Sequence, residues 1–408
     1  MLREQIKYLT SKGSALAVGA VGSNLLAMLV LFAYNYFGSV RGYGVYSYVM
    51  TVMALTGITS LTGLNWATLV GSAQGKKHIL RSAARRRILA SLVLGCPVLL
   101  STWWILRTWF PEQSPASRAC LLLLPVFPFM YSFTGVYHYL NGLGQFWCVA
   151  CAQIVAAFLN LLAVSVCLLV HPSSSLLPPV AALLVKTLFE SSLYLALVRR
   201  DQIPLLDQDA HLLSFGTKAT LTGTTGNFDT YADRLVVGFI YGFNPLGLYS
   251  GGRSVVVALR QIPLIYYQLY TPKLARRRPA DAWRLTNRAL VWGLLLFVPI
   301  YALVYWALPW LYSTFLGKFD QSASYARWFV LMSFVGIPYY FYCPFFHSQR
   351  QARREAIVRV TRTVLYVLGL LVFVRIYGLM GIIYAQIAAT AIMSVHSWWE
   401  ARKSRGLE

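Results

Sequence analysis

The residues of this sequence with chemistry to offer are ionisable side chains that fall inside long apolar runs. Between positions 212 and 241, Lys218, Thr222, Thr225, Asp229 and Asp233 recur at spacings of 3 or 4. On a helix that pattern forms a stripe along one face. Between 247 and 270, Tyr249, Arg253, Arg260 and Tyr267 recur at near-heptad spacing and share a face as well. A guanidinium there keeps its proton and presents a planar fork that fits phosphate oxygens. Asp229 and Asp233 either neutralise these cations across the contact between the two helices or exchange a coupling ion, and both readings stand. Lys186 and Glu190 form an i,i+4 pair of opposite sign that either satisfies itself or serves transport. The candidate substrate-binding residues are therefore Arg253, Arg260, Lys218, Tyr249 and Lys186. The candidate charge partners or ion-coupling groups are Asp229, Asp233 and Glu190.

The elements that must position them are membrane helices. Apolar residues make up 57% of the 408 positions and charged residues only 12%, about half the charged share of a soluble domain. Runs bounded by charge, proline or glycine place twelve spans near 13–33, 43–69, 88–106, 118–138, 146–169, 176–198, 212–241, 247–270, 289–310, 326–346, 356–374 and 379–398. The first is read as an uncleaved helix, because eleven more follow it. Alternate loops are rich in lysine and arginine, as in Lys76, Lys77, Arg81 and Arg85 to Arg87, or Lys273, Arg276 to Arg278, Arg284 and Arg288. The opposite loops hold few, such as Arg41, Arg107 and Arg118. This asymmetry puts both termini in the cytoplasm.

The net charge of +23 sits in short runs between apolar segments, so it is read as topology and no nucleic-acid partner is expected. Basic clusters at a cytoplasmic face also attract anionic membrane lipids. The pair Cys148-x-x-Cys151 lacks a second ligand pair, and no metal or other cofactor is expected. No Ser/His/Asp set and no phosphate-cradling glycine loop stands out, so the expectation is a transporter and not an enzyme or an ATP-driven pump.

Gly44-Val45-Tyr46-Ser47 returns as Gly247-Leu248-Tyr249-Ser250, an offset of 203, half the chain. The same shift carries spans three to six onto spans nine to twelve. Six is even, so both halves keep one orientation, as in a parallel repeat about the membrane normal. The fold class expected is an all-α polytopic membrane protein of two parallel six-helix lobes, 1–205 and 206–408, around a central cavity.

The glycine–tyrosine element Gly42, Gly44, Tyr46, the stretch Asp233-Arg234-Leu235-Val236-Val237-Gly238, the Leu246 to Ser250 segment and Arg260-Gln261-Ile262-Pro263 resemble the polysaccharide transporters, including O-antigen flippases. These share a superfamily with the multidrug MATE exporters and the lipid II flippase, so the resemblance implies a MATE-like fold. One departure is Gly63-Leu64-Asn65, where such proteins often carry an arginine after Gly-Leu. The resemblance implies outward flipping of an undecaprenyl-diphosphate-linked oligosaccharide across the bacterial inner membrane for surface polysaccharide such as O-antigen. Polysaccharide polymerase and glycosyltransferases would then be its functional partners. The alternative is a proton- or sodium-coupled multidrug or metabolite antiporter of the same fold, whose site calls for excess negative charge, whereas the spans here carry excess positive charge. A membrane-embedded polymerase would call for a large extracytoplasmic loop or a catalytic acid motif, and neither is evident.

The charge alternation makes a direct prediction. In a cysteine-free background, Arg278→Cys is expected to react with an impermeant thiol probe only after the cells are opened, and labelling of intact cells would refute the twelve-span arrangement.

Overall fold

The computed structural model describes residues 2–110, 114–203, 213–214, 216–217, 220, 231–259, 263, 270, 274, 277–349 and 351–404. Every regular element among the described residues is helical. Eight helices are long and apolar enough to cross a membrane: Ala17–Phe37, Ile79–Trp109, Phe146–Val170, Leu177–Arg200, Pro279–Phe315, Ser322–Ser348, Arg353–Tyr377 and Leu379–Lys403. Two bent pairs, Val40–Ser60 with Leu64–Ala73 and Ser114–Leu123 with Phe127–Gly142, are long and apolar enough when each pair is taken as one span, which brings the total to ten among the described residues. In order, these are the expected spans one to six and nine to twelve. The seventh and eighth expected spans lie partly outside the described residues, which there include helix over 231–240 and Phe243–Leu259.

Two spans read as continuous helices are broken. The second bends by 60° and the fourth by 78°. The fourth breaks at Pro125, which has no amide hydrogen to continue the ladder. The second breaks after a short 3-10 turn, Gly57–Ser60, where Leu61 turns left-handed at φ 53. A broken helix at bilayer depth leaves backbone groups that lipid cannot satisfy. Here the Ser60 carbonyl accepts from Arg87 Nε at 3.2 Å, and the Gly63 amide donates to Thr220 Oγ1 at 3.0 Å. Arg87 also donates through Nη1 to Asn65 Oδ1, and Ser91 Oγ donates to Ser60 Oγ at 2.7 Å.

Arg87 therefore corrects the reading of the Arg85 to Arg87 run as a loop cluster. Ile79–Trp109 is one helix of 31 residues, about 46 Å at 1.5 Å per residue, against a hydrocarbon core of about 30 Å. Its first turns carry the basic run, and Arg87 within it is only 1% exposed. Arg284 and Arg288 likewise ride on the Pro279–Phe315 helix and not in a loop.

The described chain forms two compact units, Val18–Ser250 and Met1–Ala17 with Gly251–Glu408. Residues 231–250 join the first unit through a crossing of the Val40–Thr56 and Phe243–Leu259 helices. A Cβ on Gly44 would collide with the carbonyl oxygen of Phe243, and one on Gly247 with the carbonyl oxygen of Val40. Each contact is the other shifted by the repeat offset, since 247 − 44 and 243 − 40 both equal 203. One turn on, Ser47 Oγ and Ser250 Oγ hydrogen-bond at 2.7 Å, again 203 residues apart. Equivalent residues meet at two successive turns, so the helices point the same way about a local two-fold, as a parallel repeat requires and an inverted one does not. Small residues let the two backbones approach closely where lipid offers no hydrophobic drive for helix association.

In the other unit the Ser322–Ser348 helix is central, with 72% of its apolar window buried against 11% for Arg353–Tyr377. Trp283 stacks on Tyr342 at 5.6 Å, and the Tyr342 hydroxyl donates to Asn287 Oδ1 at 2.7 Å.

The serine contact is open to a direct check. Ser47→Cys combined with Ser250→Cys is expected to form an intramolecular disulfide under mild oxidation, detected as a fragment that stays linked after cleavage between residues 200 and 210. Either single variant should not, and no linkage in the double variant would argue against the crossing.

Candidate functional site

Two groups of the expected site residues are placed by the structure. Tyr241 and Gly242, the glycine at φ 83, turn the chain between the 231–240 and Phe243–Leu259 helices. The turn folds Tyr249 back beside Asp233, and the tyrosine hydroxyl donates to Asp233 Oδ2 at 2.6 Å. Both residues are fully buried. Tyr249, expected to bind substrate, is thus a hydrogen-bond partner of the carboxylate expected to balance charge. In the other unit Arg253 is 5% exposed and its guanidinium lies 5.9 Å from the Phe329 ring centroid. Lys218, Asp229 and Arg260 lie outside the described residues.

The second group surrounds a cavity of about 530 Å³ within the Val18–Ser250 unit. Lys186 and Glu190 line it from the Leu177–Arg200 helix. Their i,i+4 pairing is loose: Lys186 Nζ stands 3.9 Å from Glu190 Oε1, with the lysine 41% exposed and the glutamate 1%. Neither Glu190 oxygen has a well-formed hydrogen bond. Tyr137 and Arg87 are its other polar neighbours. The sequence reading missed the four carboxamides of the lining, Asn24, Asn141, Gln153 and Asn160, and the Tyr137 and His138 side chains beside them. A signal was present in the 146–169 run, where Gln153 and Asn160 are seven residues apart on one helical face. Just beyond the Leu177–Arg200 helix, Asp201 accepts from Arg200 Nε at 2.8 Å and from the Tyr139 hydroxyl at 2.8 Å, and these bonds hold its carboxyl below the usual carboxylate range.

Metal-ligating side chains gather at one place among the described residues. Ligand atoms of Cys343, His347 and Glu355 lie within 4.8 Å of one another. The carboxylate is already engaged: Arg359 and Cys343 donate to Oε1, the latter at 3.2 Å, and His347 Nε2 lies 3.1 Å from Oε2. The cluster is a hydrogen-bonded network tying the Ile337–Ser348 helix to the Ala352–Tyr377 helix.

Helices long enough to span a bilayer, broken spans whose backbone is satisfied from neighbouring helices, and buried charge inside apolar segments define a multi-pass membrane protein. The chain belongs to the family described as "Polysaccharide biosynthesis protein", which matches residues 39–324, well over half of its length. Its fold is similar to that of the lipid II flippase MurJ in an inward closed conformation, at a TM-score of 0.77 and 12% identity over 95% of this chain and 87% of that one. It is similar too to a multidrug resistance MATE family transporter of the MOP superfamily. The outward-facing form aligns at a TM-score of 0.66 and 14% identity over 97% and 95% of the two chains. The inward-facing form aligns at 0.67 and 16% over 97% and 93%. No curated protein matches the chain. The MATE-like fold and the polysaccharide family are those that the sequence motifs implied.

The Tyr249–Asp233 bond is measurable by a double-mutant cycle of Tyr249→Phe and Asp233→Asn on unfolding in detergent. The expected coupling is about 0.6–1.7 kcal/mol, the range for side-chain bonds between membrane helices. Additive effects of the two substitutions would show that the hydroxyl and carboxylate do not interact.

Proposed function

We propose that this protein moves an undecaprenyl-diphosphate-linked oligosaccharide from the inner to the outer leaflet of the bacterial inner membrane, for O-antigen or another surface polysaccharide. In this reading two six-helix lobes, 1–205 and 206–408, alternate access to a central cavity while the lipid tail stays in the bilayer. The observation that carries the proposal is the buried Arg253 guanidinium in an apolar helix of a chain from a polysaccharide biosynthesis family. A charge at bilayer depth costs about 2.5–3.5 kcal/mol by the insertion scale, a cost that a role in holding an anion accounts for. Arg260 and Lys218 would extend the same cationic path, and Asp229 and Asp233 would orient it. An inside-negative potential favours outward movement of an anion by about 2.3 kcal/mol per charge per 100 mV, so no ion gradient is required.

With both termini cytoplasmic, the Gly44–Gly247 crossing lies at the extracytoplasmic ends of its helices. A second reading, a proton- or sodium-coupled antiporter, is favoured by one observation, the buried Glu190 carboxylate on a polar cavity.

Cells lacking the protein are expected to accumulate undecaprenyl-linked sugar on the cytoplasmic side and to lose surface polysaccharide. Arg253→Ala should fail to restore it at normal protein abundance. A null strain with unchanged lipid-linked sugar and heightened sensitivity to cationic drugs would favour the antiporter instead.

A further inference from the structure

The cavity inside the Val18–Ser250 unit differs in chemistry from an ordinary ligand pocket. Small-molecule pockets are mostly apolar with a few polar groups, whereas this one gathers four carboxamides, Asn24, Asn141, Gln153 and Asn160, with Lys186 and Glu190. The carboxamides come from three different helices, at positions where lipid-facing residues would be apolar. Asn24 is partly engaged, donating to the Ala20 carbonyl at 2.6 Å. Asn141 Oδ1 and Asn160 Oδ1 on the lining are buried without a hydrogen-bond partner, and the Glu190 carboxylate is met by the Tyr137 hydroxyl and, at 3.9 Å, by Lys186 Nζ. The amide oxygens and the carboxylate are all acceptors.

A group of buried acceptors calls for an occupant that donates. Phosphate is excluded by chemistry, because it would present more acceptors to Glu190. A lone cation is disfavoured by the Lys186 ammonium 3.9 Å from that carboxylate and by a volume of about 530 Å³, which is in the range of a small organic ligand. A ring of hydroxyls fits both requirements. Each hydroxyl donates one hydrogen bond and accepts others, so adjacent hydroxyls on a pyranose would donate to the asparagine and glutamate oxygens. They would accept in turn from the amide nitrogens and Lys186.

We infer that this cavity is a sugar subsite, taking a pyranose ring of the oligosaccharide with its hydroxyls donating to Asn141, Asn160 and Glu190. The inference rests on the flippase reading for the identity of the sugar's carrier. It adds a neutral, hydrogen-bonding locus for the glycan, separate from the cationic residues assigned to the diphosphate. Discrimination among sugars would arise here, since a site built to pair hydroxyls rejects an analogue that leaves buried polar groups unmatched.

The test uses the full-length protein in nanodiscs. Free hexoses, 6-deoxyhexoses and N-acetylhexosamines are added singly at millimolar concentration, and binding is read by saturation-transfer NMR. One sugar class is expected to receive transfer at its ring protons, with affinity about three- to tenfold weaker in Asn141→Ala and in Asn160→Ala. Hydrogen exchange on the wild-type chain gives a readout that needs no variant: backbone amides over 134–160 should slow in the presence of that sugar. No transfer from any sugar, affinity unchanged from wild type in both variants, or no slowing over 134–160 overturns the subsite. A response to sodium chloride over potassium chloride, with none to sugar, overturns it in favour of a cation site. Accumulation of lipid-linked sugar in the null strain without sugar binding here would remove the subsite alone. Sugar binding without that accumulation would remove the flippase reading and leave the subsite standing.

Discussion

Hydrocarbon supplies no hydrogen bonds, so each interruption of a membrane helix must be answered by another side chain. The second span is interrupted after Ser60, and two neighbours answer it. Arg87 reaches the Ser60 carbonyl and the Asn65 side chain, and Thr220 takes the Gly63 amide. A buried carbonyl left unmatched costs about 1–3 kcal/mol, and a buried guanidinium without acceptors costs more. Joining the two removes both penalties. The same bonds fix the start of the Ile79–Trp109 helix against the broken span, and with it the frame in which the polar cavity sits. Asn65, which stands where related proteins often carry an arginine, is the residue that Arg87 engages from the next span.

The helix crossing at Gly44 and Gly247 works by a different force. Membrane helices associate through close packing and interhelical hydrogen bonds, because lipid tails are as apolar as leucine. Removing the side chain at both glycines lets each backbone rest on the other's carbonyl, and the Ser47–Ser250 bond lies one turn further along. Pairing across a local two-fold means that one short motif, present twice, builds both sides of the contact. The repeat is thus a packing device.

The buried charges are managed by three different arrangements. Asp233 is held by the Tyr249 hydroxyl, Arg253 lies beside the Phe329 ring, and Glu190 faces a polar cavity with Lys186 at the edge of contact. The first is a directional bond that anchors a turn between helices. The last leaves acceptor capacity unused, and unused capacity on a cavity wall is where ligand chemistry enters. The Cys343–His347–Glu355 cluster makes the contrast, since its similar residue types are already joined to Arg359 and to one another.

By itself the sequence located ten of the segments long and apolar enough to cross a bilayer and the repeat that relates its two halves, because hydropathy and a repeated Gly-x-Tyr-Ser are properties of short stretches. It also marked Glu190 and Asp233 as costly charges that needed neighbours. Only the tertiary structure decided who those neighbours are. Arg87 read as one more basic residue in a run of three, and its burial depends on a helix break 27 residues away. Asn24, Asn141 and Asn160 lie on three separate helices, and they become one cavity wall only when those helices pack side by side. Such contacts depend on how helices distant in sequence approach one another, and no local pattern of residues encodes that geometry.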